Sequence, residues 1–423
     1  MTQSAFSTDR LRTTPAILRA WSVAIVALLS ISAVLSVLAA RDFQNSATQI
    51  EENTGPVLIS TQGLVASIAE ADAANTAVFL SASSGGTEDR QQRRLYETAV
   101  SRAPQQIEDI SSGIGDDETS HDTLKDMASQ LTRYTGLVER ARLGNVLNLA
   151  DATADLEDSF DLVSGSDGML ANAALVTERT QNRFDDDITA GTLALIAALG
   201  ALVVTLMVML IAQIRLKRRT KRFLNPWLVL GFLSVMALAV WLAAAQIGRT
   251  QDLQAARDNA YDSIALTAEL QTTAFDFKSR EAASIIGADP AAGDTRFELA
   301  DAVLILLNDL TSQADSDRES AAVTSLKTRW SRYVETSDDI SALLSAGDVE
   351  HARALAIGDG NRDFNGFNTT VESVLLANRD QFNASVQSAA NRLNWLLLGS
   401  ILLPLLAAAF ALVGYQARIN EYW

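Results

Sequence analysis

Four long apolar runs are the strongest constraint on the fold of this chain. They contain no charged residue and cover residues 21–40, 191–214, 227–247 and 393–416. A helix rises about 1.5 Å per residue, so about twenty apolar residues cross the hydrocarbon core of a bilayer. We therefore predict an all-α membrane protein with four transmembrane helices. The first run is longer than the core of a secretory signal, about 7–15 residues, and we interpret it as a retained helix.

The densest basic stretch joins the second and third runs, in residues 215–226, although the net charge of the chain is −17. Its six cations are Arg215, Lys217, Arg218, Arg219, Lys221 and Arg222. Short basic segments beside membrane helices stay in the cytoplasm. Residues 1–20 and the tail 417–423, which carries Arg418, follow the same rule. We predict a multi-pass plasma-membrane protein with both termini in the cytoplasm. The cations suit anchoring to lipid headgroups, and a docking role for a cytoplasmic partner is compatible with it.

The two segments between the paired runs, residues 41–190 and 248–392, are strongly acidic, and we place both outside the cell. Alternating strand-like patterns are scarce, and turn signals divide each segment into four helical stretches. We therefore predict two extracytoplasmic four-helix bundles in tandem. The repeated order of span, bundle and span indicates an internal duplication with a period of about two hundred residues. The chain has no cysteine, so these domains rely on packing without disulfides.

A heptad pattern marks the first helix of the first outer segment. Apolar residues recur every seven positions, at Ile50, Val57, Leu64, Ala71 and Val78. The other inward position holds Ile68 and the polar residues Thr54, Thr61 and Asn75. This spacing predicts a long helix with a partly polar core seam, which either sets the register or lets the helix switch between packings. A similar spacing from Leu170 to Ile188 predicts a helix that runs straight into the second span.

Glycine-rich breaks separate the predicted helices, because glycine adopts the left-handed conformation that closes helix ends. We expect breaks at residues 83–87, 112–118, 143–145, 287–293, 315–317 and 346–348. The predicted helix lengths place several of these turns farthest from the membrane. Their residues form a candidate partner-binding surface: Gly85, Gly86, Gly144, Asp289, Gly347 and Asp348. We also expect a kink or a short break within each fourth helix, at residues 165–168 and 358–360.

Signs of catalysis are scarce. The two histidines, His121 and His351, lie far apart in the sequence and neither has a second histidine nearby for a metal. Phosphate-binding loops and nucleophile elbows do not occur, and the many acidic runs are typical of solvated faces. The spans hold no ionisable group of the kind that carries ions or protons. We therefore expect neither an enzyme nor a transporter, and no cofactor, metal or nucleic acid.

The residues that resemble a known family lie mainly in the second outer segment. The stretch from Arg329 to Leu355 resembles helices three and four of chemoreceptor-type sensor domains, through Trp330, Tyr333, Gly347, Asp348 and Ala352. A duplicated sensor on four spans without an output domain is similar to the actinobacterial GlnX family. Residues 69–86 and the tail 417–423 resemble that family's first outer helix and short tail.

The resemblance implies a relay in amino-acid sensing. A substrate-binding lipoprotein outside the cell would report glutamate, aspartate or glutamine, and a cytoplasmic serine/threonine kinase would receive the message. The candidate output surface is then the six cations of residues 215–222 together with Arg418. A structural or adhesive envelope protein is the main alternative, and a transport accessory subunit is a third. The sequence leaves open whether the chain forms a homodimer.

Overall fold

The computed structural model describes residues 14–83, 87–147, 149, 151–220, 225–287, 292–314, 317–393 and 395–420. Within these ranges the chain is helical and has no strand. The helices are α1 (Thr14–Gln49), α2 (Gly55–Ala82), α3 (Arg90–Gly113), α4 (Glu118–Val146), α5 (Ala152–Ser164), α6 (Met169–Thr189), α7 (Thr192–Thr220), α8 (Pro226–Gln254), α9 (Asp262–Ile286), α10 (Ala292–Gln313), α11 (Asp317–Ser345), α12 (Val349–Leu355), α13 (Asn361–Leu393) and α14 (Leu396–Asn420). Three π-helical turns, Ile50–Thr54, Ala255–Tyr261 and Ala356–Gly360, join consecutive helices.

The chain divides into two compact units. The first comprises Met1–Ile50, Asp185–Leu253 and Ser385–Trp423, and the second comprises Glu51–Phe184 and Gln254–Ala384. The first unit, here called the membrane unit, holds the four predicted spans. The second, here called the helical unit, contains the helices of both long acidic segments. The two segments therefore share one packed body.

The membrane unit contains four helices that are long and apolar enough to cross a bilayer, among the residues that the structure describes. Their inward faces form one apolar core, in which Ile25, Leu202, Leu238 and Ala407 are buried. Large apolar side chains on the opposite faces are exposed, as in Leu193, which is 84% exposed. This combination is expected of helices that face lipid on one side and one another on the other. The chain is a multi-pass membrane protein.

One cation is enclosed within the membrane unit, two residues beyond the third predicted span. Arg249 is fully buried, and its guanidinium donates to the carbonyl oxygens of Ile188 at 3.1 Å and Asp187 at 3.0 Å. The guanidinium also lies over the ring of Phe43, 5.2 Å from the centroid. These contacts fix α8 against the end of α6 and against α1.

The helical unit is organised around α2 and α9, which pack side by side. Helices α3, α4, α5 and α6 surround α2, while α10 and α11 lie on the side of α9. Because α2 has neighbours on every side, almost all of its residues are buried, including Glu70 and Asp72. The seam that the heptad pattern predicts is buried as expected. It is one stripe of a helix that has no exposed face.

The first and last helices of each segment differ in whether they continue along the chain. Helix α1 continues into α2 through the π-helical turn Ile50–Thr54, and α8 continues into α9 through the turn Ala255–Tyr261. The returning helices are interrupted: α6 ends at Thr189 before α7, and α13 ends at Leu393 before α14. The prediction that the return helix of the first segment runs straight into the second span is therefore wrong. The cause is Gly191, whose φ of +79° breaks the helix beside the ring of Phe43.

Several predicted breaks are confirmed and one needs correction. Residues 165–168 separate α5 from α6, as expected. At residues 358–360, where a kink or a short break is predicted, a π-helical turn separates α12 from α13 and the chain stays helical. Gly144, predicted in a turn, lies within α4 and is buried there. A Cβ added at this position would lie 2.9 Å from the Cβ of Ala152. Gly144 allows α4 and α5 to pack closely, and the turn comes after Val146.

Candidate functional site

Polar side chains meet in the middle of the contact between α2 and α9. The hydroxyl oxygens of Thr76 and Ser279 lie 3.1 Å apart, and both residues are buried. Ser279 donates a hydrogen bond of 2.9 Å to Oδ2 of Asp72, while Thr76 donates to the backbone oxygen of Asp72 at 2.9 Å. The two central helices are thus joined by a small polar group inside an otherwise apolar interface.

Asp72 has an unusual environment for a carboxyl group. It is only 7% exposed, and its Oδ1 atom has no hydrogen-bond partner among the described residues. Burial raises the pKa of Asp72 to about 7, against the smaller lowering effect of the hydrogen bond from Ser279. The residue lies more than thirty positions beyond the end of the first predicted span, so this burial is within protein. A carboxyl group with such a pKa changes charge near neutral pH.

A cavity of about 330 Å³ opens beside this carboxyl group. Its walls come from α2, α5 and α9, and its charged residues are Asp72, Glu157, Asp161, Asp276 and Arg280. Arg280 pairs with Asp276 at 3.0 Å. Glu157 and Asp161 are exposed, so they lie at the open side, while Asp72 is buried. The cavity is therefore acidic from its mouth to its buried end, and we call it the acidic cavity.

A second set of charges is enclosed by aromatic rings on the other side of α9. Lys278 and Glu281 form an ion pair of 3.2 Å, and their side chains are only 6% and 2% exposed. The hydroxyl of Tyr333 donates to the same carboxylate at 3.1 Å. The ammonium group of Lys278 lies over the rings of Tyr333 and Phe364, at 5.2 and 5.9 Å from their centroids. Cation–π contacts of this kind help to offset the loss of hydration.

A smaller crevice, of about 200 Å³, lies between α2, α3, α9 and α13. Glu70 and Lys278 line it together with Glu372, and amide side chains such as Asn365 and Asn368 complete the wall. Glu70 forms an ion pair with Arg102 of α3, and burial raises its pKa. The charges that face this crevice are largely paired within the protein, in contrast to Asp72.

The predicted polar seam residues are all in the interior. Thr61 is fully buried and donates to the backbone oxygen of Val57 at 2.8 Å. Thr54 is buried in the π-helical turn, and Asn75 is buried with an Nδ2 atom that has no hydrogen-bond partner among the described residues. The sequence reasoning missed Glu70 and Asp72, because acidic residues are abundant in this chain and normally lie on solvated faces. The sequence signal that could have identified Glu70 and Asp72 is that they lie among small residues on a helix with no polar face.

Some of the predicted outer-surface residues come together at one end of the helical unit. Gly347 ends α11 with a φ of +79°, and Asp348 caps α12 by accepting from the backbone of His351. The ends of α2 and α9 lie beside the α4–α5 and α11–α12 connections. Ile286 of α9 packs against one apolar cluster that includes Ala141 and Ala152 and against another that includes Ile340 and Ala352. Gly85, Gly86 and Asp289 lie outside the described residues.

Four large apolar side chains are exposed next to Gly144, around the connection from α4 to α5. They are Leu143, Val146, Leu147 and Leu149, and each is more than half exposed. Contiguous exposed apolar side chains in a packed domain are typical of a contact surface for another molecule. We call these four residues the apolar edge. The sequence analysis did not identify it, because single apolar residues near a predicted turn carry no signal of exposure.

The predicted cytoplasmic output residues are distributed over two helix ends. Helix α7 extends to Thr220, so Arg215, Lys217, Arg218 and Arg219 continue the second span as helix. The guanidinium of Arg215 lies 5.5 Å from the centre of the Trp21 ring. Arg418 lies in the last turn of α14. Lys221 and Arg222 lie outside the described residues.

The two histidines contact different residues and do not contact each other. His121 Nε2 lies 2.9 Å from the backbone oxygen of Gly115, and the exposed His351 pairs with Asp348 at 2.8 Å. Groups of three or more side chains suited to hold a metal are missing from the described part of the chain. The hydroxyl oxygen of Ser111 lies 3.2 Å from the Nδ1 atom of His121.

Residues 46–189 match a family model described as an actinobacterial sensor domain. The match spans α2 to α6, together with the last turn of α1 and the π-helical turn. Comparison with curated proteins and with solved structures finds no match. The match supports a sensor of actinobacterial type, with a sensing or signalling role for the chain.

Proposed function

We propose that this protein is a transmembrane signal relay in the sensing of glutamate, aspartate or glutamine. In this proposal a substrate-binding lipoprotein outside the cell changes the state of the helical unit, and a cytoplasmic serine/threonine kinase responds. The sensor-domain match supports a sensing role. The amino-acid specificity and both partners rest on the resemblance to the GlnX family.

The observation that carries the relay is the continuity of two helices. Helix α1 leads into α2 and α8 leads into α9 without a break, and α2 and α9 are packed on each other. A small shift or rotation between α2 and α9 therefore has two unbroken helical routes toward the spans. The π-helical turns at Ile50–Thr54 and Ala255–Tyr261 are the proposed places for such a change, because π-helical turns within helices are frequently found at functional sites.

Tyr261 ties one of these turns to its neighbours. It is the last residue of the turn, and its hydroxyl accepts hydrogen bonds from Gln62 of α2 at 3.4 Å and from Gln181 of α6 at 3.0 Å. A rearrangement of the turn would therefore be felt by both helices. The buried polar residues Thr54, Thr61 and Asn75 support the same idea, because polar layers weaken the preference of a helix for one packing.

The orientation in this proposal follows the distribution of basic residues. Residues 1–20, 215–226 and 417–423 lie in the cytoplasm, and the acidic segments 41–190 and 248–392 lie outside. The common helix order of the two segments supports an origin by duplication of one chemoreceptor-like unit. Phe184 and Phe382, which occupy corresponding places, pack with ring centroids 6.1 Å apart.

The input surface is proposed to include the predicted residues Gly85, Gly86, Gly144, Asp289, Gly347 and Asp348. The apolar edge lies next to Gly144 and supports a contact with another protein there. The output surface is proposed to comprise Arg215, Lys217, Arg218, Arg219, Lys221, Arg222 and Arg418, whose charge suits an acidic face of a kinase.

A photo-crosslinking experiment tests the relay. A photoreactive residue at Leu147, in the apolar edge, should capture a lipoprotein from intact cells, and one at Arg219 should capture a kinase. Asp109, exposed on α3, is the control position outside the apolar edge. Capture of neither class of protein contradicts the relay and favours the structural or adhesive alternative. Capture of a permease subunit at Arg219 would favour a transport accessory role.

A further inference from the structure

We infer that the acidic cavity is a binding site for a small organic cation with primary ammonium groups, in the class of short linear diamines. This goes beyond the proposed relay, because the relay receives its signal from another protein and needs no ligand inside the helical unit. The basis is the unpaired, buried carboxyl oxygen of Asp72 at the inner end of a cavity lined by acidic residues.

The charge balance selects a cation. Four carboxyl groups and one guanidinium line the cavity, and that guanidinium, of Arg280, already pairs with Asp276. Glu157 and Asp161 are exposed at the mouth, where they raise the local concentration of cations. An anionic ligand would meet this charge at the entrance and at the inner end, so anions are disfavoured.

The distribution of the carboxyl groups favours an organic cation over a metal ion. Metal sites need three or more oxygen, nitrogen or sulfur ligands around one point. Such a group does not occur among the described residues, and the carboxyl groups are spread over α2, α5 and α9. A linear diamine can place one ammonium group on Asp72 Oδ1 and the other near the mouth.

The apolar parts of the wall suit the carbon chain of such a ligand. Phe160 of α5 and Ala283 of α9 line the cavity between its charged positions. The volume, about 330 Å³, lies at the lower end of the range for small-molecule sites. An ammonium group on Asp72 would also supply the hydrogen bond that Oδ1 lacks, and would offset the cost of burying the carboxylate.

The protonation state of Asp72 couples binding to pH. Its pKa of about 7 is set by burial, in a site where Asp276 and Arg280 of α9, Glu157 and Asp161 of α5 and Tyr134 of α4 are the neighbouring titratable groups. A cation binds the ionised carboxylate, so binding at pH 7 should release protons. The affinity should fall as the pH decreases below 7.

Titration calorimetry of the full chain in detergent, with 1,4-diaminobutane as the probe, tests the site. Wild type should bind saturably at pH 8, and at pH 7 the heat should depend on the ionisation enthalpy of the buffer. Asp72→Asn should weaken binding at least tenfold without loss of the fold, because it removes a buried charge. Asp109→Asn, on the exposed face of α3, should bind like wild type.

A second variant tests the site without changing a buried residue. Glu157→Lys reverses an exposed charge at the mouth and should weaken binding at least tenfold while leaving thermal unfolding unchanged. Absence of diamine binding by wild type, or equal binding by wild type and Asp72→Asn, would overturn the inference. Tighter binding of glutamate or Mg²⁺ than of the diamine would also overturn it. None of these results bears on whether a lipoprotein or a kinase is captured.

Discussion

Thr76 of α2 and Ser279 of α9, 203 positions apart in the sequence, face each other with their hydroxyl oxygens 3.1 Å apart. This contact joins the two outer segments of the chain at the centre of one packed body. The packing can be tested with an introduced cysteine pair at these positions, because the chain has no cysteine of its own.

The double variant Thr76→Cys/Ser279→Cys should form a disulfide under mild oxidation, since opposed side chains this close fall within disulfide geometry. Gel mobility with and without reductant measures it. The matched pair Thr76→Cys/Ser284→Cys places the second sulfur five residues further along α9, about 7.5 Å, and should stay reduced. Equal oxidation of the two pairs would contradict the register. In cells, a change in the disulfide yield on addition of the amino acid would support a relay. An unchanged disulfide yield would favour the structural or adhesive alternative.

Loss of Lys278 should destabilise the helical unit strongly. Lys278→Met leaves the buried carboxylate of Glu281 with only the hydroxyl of Tyr333, and breaking a buried pair in this way costs about 3–5 kcal/mol. The double variant Lys278→Met/Glu281→Leu should recover much of the loss, because no charge then remains buried. Thermal unfolding midpoints of the four members of this cycle provide the measurement. A double variant that is less stable than Lys278→Met would be inconsistent with an uncompensated charge.

Two glycines of α4 should respond in opposite ways to alanine. Gly144→Ala would push α5 away, because the new Cβ meets Ala152, and such overpacking costs about 1–3 kcal/mol. Gly136→Ala has open space within 4 Å and should be neutral or stabilise by up to about 1 kcal/mol through helix propensity. Unfolding midpoints of the two variants give the comparison. A stabilising Gly144→Ala would show that α5 does not lie against it.

The stability of the protein should depend on pH through Asp72. Its pKa is raised from 3.8 to about 7 in the folded state, so between these values the folded state binds the extra proton. Stability therefore decreases as the pH rises from about 4 to 7, by about 4 kcal/mol for this residue alone. Asp72→Asn should flatten that part of the profile and be more stable than wild type at pH 8.

Asp117 provides a contrast of opposite sign. The pKa of Asp117 is lowered, chiefly by the hydrogen bond from the Ser120 side chain. Its contribution is therefore present above the ordinary aspartate pKa and is lost as the pH falls through the lowered one. Asp117→Asn should be less stable than wild type at neutral pH. Destabilisation by both asparagine variants at pH 8 would contradict the burial of Asp72.

Glycines within the spans should also differ. A Cβ at Gly399 of α14 would overlap the ring of Trp241 of α8, whereas Gly200 of α7 has open space around it. Gly399→Ala should lower the unfolding midpoint in detergent, with a cost of about 1–3 kcal/mol. Gly200→Ala should have little effect. Similar midpoints for the two variants would indicate that α8 and α14 do not approach at Gly399.

Local patterns in the sequence were sufficient for the class of this protein. The four apolar runs predict the spans, because the length and hydropathy of a run are properties of contiguous residues. The heptad spacing predicts that Val57, Leu64 and Ala71 are buried, because a helix repeats its faces at a fixed period. The break at residues 165–168 is predicted from two glycines close together, whereas the same pattern at residues 358–360 gives only a π-helical turn.

Only the tertiary structure decided which helices pass unbroken toward the spans and which charges are buried. Gly191 breaks the return helix with a φ of +79°, and Phe43, about 150 positions earlier in the sequence, occupies the space that a side chain there would need. Asp72 lies among small residues in the sequence, but its carboxyl group is enclosed only because α9 packs against α2. The sequence by itself determined the helices and their membrane spans, since these depend on neighbouring residues. The pairing of α2 with α9, and the cavity beside them, depend on contacts between distant residues, which no local pattern records.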